Sequence, residues 1–208
     1  MSVSIIRKVY DEFRLTFENT PDFIIEFYSK NALILKNIYT FENTDDLKIY
    51  IELISKFAEA LYFKRRFNEV LSYLDKCLNM INSEITRLNA PSVKNDWYYN
   101  ILSVKAMSLY SVQDFKGSAS LFKILIDQDP KNELYKNWYR YANYGLRSRY
   151  VKFIIILAAL LLFAGTFFKS FIHYPLFKTL TTSTALLIIT VSTCYDYYIK
   201  RSFKKAAR

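Results

Sequence analysis

The chain has 208 residues, 52% of them apolar and 18% aromatic, with a formal charge of +10 and only three glycines. Eight of the 29 basic residues but one of the 19 acidic ones fall in 150–208, which leaves the first 149 residues close to neutral. That distribution excludes the basic, aromatic-interleaved face of a nucleic-acid binder, so no nucleic-acid partner is expected. So few glycines, with no phosphate-cradling loop, no HExxH and no Cys/His cluster, point away from an enzyme and imply no catalytic residue, metal site or cofactor.

In chain order, Ile6, Val9, Tyr10, Phe13 and Phe17 are spaced as one face of an amphipathic helix and are broken by charge, unlike a signal peptide. Thr20-Pro21 supplies a cap and a first-turn proline for a second helix carrying Ile24, Phe27, Tyr28, Leu35, Ile38 and Tyr39. Thr44-Asp45-Asp46 opens a third, through Leu47, Tyr50, Ile51, Ile54, Ala58 and Leu61, its two acids placed where the helix dipole favours them. Phe67, Val70, Leu74, Leu78, Ile81, Ile85 and Leu88 mark a fourth, ended by Pro91. Ser92 is read as the cap of a fifth (Tyr98, Ile101, Leu102, Ala106, Leu109), and Asp114 as that of a sixth (Phe115, Phe122, Leu125, Ile126). Cys77 and Cys194 lie far apart and outside any CxxC pair, so no disulfide is expected.

Setting residues 58–81 over 106–129 aligns Ala58 with Ala106, Tyr62 with Tyr110, Phe67 with Phe115, Leu74 with Phe122 and Leu78 with Ile126, at a constant offset of 48. The second copy has small Ala106, aromatic Tyr110, the turn Asp114-Phe115, small Ser118, Phe122 and a closing Asp129-Pro130. It resembles the tetratricopeptide repeat, in which small residues let antiparallel helices approach and aromatics fill the groove between pairs. The resemblance covers about 51–132; it departs in period, against about 34 residues in the family, and in Val70 where a small residue is usual. It implies a groove that takes a peptide or helix, for which Tyr50, Tyr62, Tyr98, Lys105 and Tyr110 are the candidate lining. An unrelated helical bundle with the same core and no groove remains the alternative.

Residues 131–150 carry helically spaced Leu134, Tyr135, Trp138, Tyr141 and Tyr144 beside Lys136, Arg140, Arg147 and Arg149, read as a capping and juxtamembrane helix with Gly145 as a place to bend. Sixteen uncharged residues follow, 153–168, spanning about 24 Å of a roughly 30 Å hydrocarbon core, which Tyr150, Val151 and a snorkelling Lys152 extend. A second uncharged run occupies 179–195, rich in threonine and serine whose hydroxyls either bond back to their own helix or form a polar seam between subunits. The short connection between the runs holds the only histidine, His173, which without a second has no metal or triad role.

The expected fold class is all-α: tetratricopeptide-like antiparallel helix pairs over 1–130, a juxtamembrane helix over 131–150, a transmembrane hairpin over 151–199 with spans at about 151–168 and 179–197, and a basic tail at 200–208. Trp138, Tyr144, Arg147, Arg149, Tyr150, Lys152, Lys200 and Arg201 are the candidate membrane-interface residues, and their charge asymmetry puts both termini in the cytosol. The membrane is left open: mitochondrial outer, peroxisomal or endoplasmic reticulum in a eukaryote, inner membrane in a bacterium. The plan is similar to tetratricopeptide adaptors anchored by a carboxy-terminal segment, implying an adaptor or accessory subunit with a protein partner and a lipid bilayer. The alternatives are an oligomerising effector whose hairpin permeabilises the bilayer, with homo-oligomers among its partners, and a structural subunit of a membrane complex.

Overall fold

The computed structural model describes residues 4–16, 18, 20–38, 40–167 and 175–206, and every regular element among them is helical. The chain divides into two units, 1–136 and 137–208. The connection with His173 lies outside the described residues.

The first unit contains α1 (Ile5–Thr16), α2 (Pro21–Lys30), α3 (Ala32–Lys36), α4 (Thr44–Phe63), α5 (Phe67–Arg87), α6 (Asp96–Ser111), α7 (Phe115–Gln128) and the start of α8 (Glu133–Phe167). Thr20 and Asp114 cap as expected, while α4 opens at Thr44 with Asn43 before it as the cap; each of the three accepts a hydrogen bond from a first-turn amide. Two boundaries differ from expectation. The second helix breaks at Asn31, whose buried side-chain amide donates back to Phe27 O at 3.2 Å and so competes with helix continuation. Ser92 lies inside a 3-10 turn, Pro91–Val93, and Asn95 caps α6 instead, accepting from Tyr98 N at 3.2 Å.

Packing follows an alternating plan. Helices α1, α4 and α6 lie side by side, α2 and α5 each pack on the first helix of the next pair, and α4–α5 and α6–α7 are hairpins. Close approach rests on small buried residues, Ser55, Ala58, Ser103, Ala106, Ser108 and Ser118. Between them Leu74, Ile101 and Phe122 are fully enclosed, each contributing about 1.5–3 kcal/mol by burial.

The 48-residue offset is visible in backbone geometry. The turn after α4 places Arg65 at φ 59° and the turn after α6 places Gln113 at φ 67°. Arg66 N donates to Leu61 O at 3.0 Å, and Asp114 N donates to Leu109 O at 2.8 Å, the paired bonds of a left-handed helix end. Tyr62 meets Phe67 with ring centroids 5.4 Å apart, and Tyr110 meets Phe115 at 5.3 Å. The two corners are the same corner built twice.

A buried carboxylate ties the loop before α4 to the end of α5. Glu84, 3% exposed, accepts from Phe41 N at 2.9 Å and from Arg87 Nη2 at 2.7 Å, while Arg87 also donates to Phe41 O. The Arg87 hydrogen bond, against the opposing cost of burial, holds the Glu84 carboxyl below its usual range, helped by the Phe41 amide.

The second unit consists of α8 from residue 137 onward and α9 (Pro175–Ala206), with α8 running as one helix through Gly145. Among the described residues α8 buries Ala142, Val151 and Ala158, and α9 buries Ala185 and Ser192, the last two residues of each set being seven apart. Around them Phe153, Ile156, Leu157, Leu160, Phe163, Leu186, Leu187 and Val191 are exposed. Among the described residues no helix is long and apolar enough to cross a membrane, so they do not bear out the two spans expected at 151–168 and 179–197. The physical reason in α9 is dilution by Thr and Ser; the uncharged run of α8 extends beyond the residues whose side chains are described.

Candidate protein-interaction groove

A concave face of the first unit is formed where α1, α4, α6 and the first turn of α8 line up. Its larger part, about 880 Å³, is bounded by Lys56 and Glu59 of α4, Asp96, Trp97, Tyr99 and Asn100 of α6, Leu125 and Gln128 of α7, then Asp129, Asn132 and Tyr135. A smaller part, about 290 Å³, is lined by Tyr10, Phe13 and Arg14 of α1 with Glu52, Lys56 and Trp97. Lys56 and Trp97 border both, so the two parts adjoin across the Lys56–Trp97 contact. Lys56, Glu59, Trp97, Tyr99 and Asn100 are half-buried at the edge of the core, with Leu125 of α7 fully enclosed beneath them.

The side chains are held rather than loose. The Lys56 ammonium lies 4.6 Å from the Trp97 ring centroid, a cation–π contact worth about 0.5–1 kcal/mol. Tyr10 Oη donates to Glu52 Oε2 at 2.8 Å, Tyr99 Oη to Gln128 Oε1 at 2.8 Å, and Asn100 Nδ2 to Ser55 Oγ at 2.8 Å and to Glu59 Oε1. Burial, then Asp129 and Asp96, push the Tyr135 phenol up, and burial followed by the bond to Glu52 does the same to Tyr10. Among the described residues Glu52, Glu59, Asp96 and Asp129 form no ion pair, whereas Asp22, Asp75, Glu69 and Glu84 elsewhere do. The groove thus presents aromatic rings and amide groups with a surplus of carboxylate among its described residues. Among the described residues no three His, Cys, Asp or Glu groups are placed to hold a metal ion.

None of the five residues expected to line a groove lines this one. Tyr98 is buried and donates to Asn82 Oδ1 of α5 at 3.0 Å. Tyr50 is 3% exposed, its hydroxyl 3.7 Å from Cys77 Sγ, and burial drives its pKa far up. Lys105 pairs with Asp75 at 2.6 Å, and Tyr62 and Tyr110 pack in the two equivalent corners. The signal that identifies the groove is the triplet Trp97-Tyr98-Tyr99. At 100° per residue Tyr98 falls between Ile101 and Leu102 and is buried with them, while Trp97 and Tyr99 lie about 100° to either side of it and are half-buried.

In the second unit Trp138 and Tyr141 make an edge contact at 6.1 Å and Tyr144 is half-buried. Arg147, Arg149, Tyr150, Lys152 and Arg201 are exposed, and the side chain of Lys200 lies outside the described residues.

Compared with known proteins, the chain matches no family model, no curated protein and no solved structure.

Proposed function

We propose that this protein is a membrane-anchored interaction adaptor or accessory subunit, whose tetratricopeptide-like first unit takes a protein partner in the α1–α4–α6 groove while α8 and α9 hold it in a bilayer. The observation that carries the reading is the apolar surface of the second unit. Opposite the buried Val151 and Ala158, large side chains are exposed along α8 from Phe153 to Phe163, a surface water penalises and lipid tails accept. The uncharged sequence run through Phe168 and the basic residues Arg147, Arg149 and Lys152 before it supply the length and the cytosolic flank. The groove supports recruitment, because its half-exposed aromatic rings sit on helices that the core already fixes.

The hydroxyls of α9 weigh against the pore-forming alternative. Thr190 donates to Leu186 O and Thr193 to Ile189 O, each at 2.9 Å, so both are satisfied inside their own helix.

The test is affinity purification of the tagged full-length chain in mild detergent, with mass determination and identification of co-purifying chains, repeated with Trp97→Ala. A stoichiometric partner lost on W97A is expected, at unchanged melting temperature. A homo-oligomer without a partner overturns the recruitment reading, and recovery from the aqueous fraction without detergent overturns the anchor.

A further inference from the structure

A second cleft, of about 700 Å³, opens on the first unit between α3 and α5, away from the groove residues. Its floor is Leu35, Tyr50 and Cys77, all buried, and Tyr73 and Met80 form its walls. Its volume and apolar floor are those of a small-ligand site. Two cations, Lys36 and Lys76, stand exposed at the rim, and among the described residues neither has a hydrogen bond or ion pair. The one acid at the rim, Glu69, is held by Arg66 through bonds of 2.7 and 2.5 Å. The rim therefore carries uncompensated positive charge.

Beneath the floor the polar groups are poorly satisfied. Tyr28, 4% exposed, stacks on Phe57 at 3.8 Å and meets Tyr73 edge-on at 5.6 Å, yet its hydroxyl has no partner. The Tyr50 hydroxyl has only the Cys77 thiol, itself pushed up to about 11 by burial and so kept neutral. A buried hydroxyl without a partner is rare in a finished core.

An apolar floor with two free ammonium groups above it selects for a ligand with an apolar body and an anionic end. An extended peptide would need backbone donors and acceptors, which the helices bounding the cleft have already used internally. We propose that the α3–α5 cleft binds a single-chain anionic amphiphile of the fatty-acid class, its chain along Leu35, Tyr50, Tyr73 and Met80 and its carboxylate between Lys36 and Lys76. The inference stands independently of the groove.

The test is photolabelling of the full-length chain in phosphatidylcholine nanodiscs with a diazirine analogue of palmitic acid, mapped by peptide mass spectrometry. Adducts are expected at 35–38 and 68–80, competed by oleate. They should fall about tenfold with the matching fatty alcohol and with the double variant Lys36→Glu/Lys76→Glu. Both lysines are exposed and unbonded, so an unchanged melting curve separates loss of binding from loss of fold. Adducts confined to 151–206, equal labelling by acid and alcohol, or a crosslink to a second copy through these residues would each overturn the proposal.

Discussion

The two units handle the same chemical problem in opposite ways. In the first, apolar side chains point inward and polar ones are satisfied across long stretches of sequence: Arg7 with Asp46, Asn100 with Ser55, Glu84 with the Phe41 amide. In the second, apolar side chains point outward and hydroxyls are satisfied by carbonyls three or four residues back. A surface in water can leave polar groups to the solvent and must hide its apolar ones; a helix among lipid tails must close every polar group on itself and gains nothing by hiding leucine. The difference teaches why the proposed anchor rests on the second unit and the proposed groove on the first, and it can be broken at four points.

The largest effect is expected from Ile156→Arg, Leu157→Arg and Leu160→Arg together. Each charge near the middle of a spanning helix costs about 2.5–3.5 kcal/mol, so the triple variant should leave the membrane pellet in an alkaline carbonate wash while the parent stays. Equal behaviour of the two would end the anchoring reading. Next comes Phe122→Ala, at a position 0% exposed, where lost burial and the cavity should cost about 3–5 kcal/mol in denaturant unfolding of the first unit. A loss below 1 kcal/mol would mean the α6–α7 hairpin is not part of the cooperative core.

Glu84→Gln is intermediate and carries a pH signature. Arg87 is about half exposed, so solvent screening reduces the loss to about 1–2 kcal/mol at pH 7. An unfolded glutamate titrates near about 4.3, and in the fold its pKa is lowered. The stabilisation is therefore complete above about 4.3 and disappears as pH falls through the lower folded value. Melting curves of parent and variant should converge in that acid window; a constant gap from pH 7 to pH 3 would contradict the assignment. The smallest effect is expected from Thr190→Val with Thr193→Val, whose self-satisfied hydroxyls contribute within about 0.5 kcal/mol. A vesicle leakage assay should read no change, and altered leakage would revive the seam between subunits.

Much of the fold was legible in the sequence, because caps and apolar spacing are local signals: Thr20-Pro21 and Asp114 open helices where expected, and Ala58, Leu74, Ala106 and Phe122 are all enclosed. Asn31 was not legible as a break, since a side-chain amide turning on its own helix leaves no periodic trace. The groove was less legible still. Tyr50 and Tyr98 have the size of lining residues, but a tyrosine ring serves a core as well as a surface when its hydroxyl finds a partner, and Cys77 and Asn82 provide them. Lys56 and Trp97 belong to different helices and become neighbours only when α4 and α6 lie side by side.

The duplicated corner has one more consequence. Between the rings, one copy reads Phe63-Lys64-Arg65-Arg66 and the other Ser111-Val112-Gln113-Asp114, with no residue in common, yet the backbone path and the ring contact agree. The bend thus keeps its flanking aromatics and backbone bonds while the four residues between differ, Asp114 in one copy also capping α7 and Arg66 in the other holding Glu69. Val112, exposed and ahead of that cap, is where a label or an epitope can be attached with the least disturbance to what lies on either side.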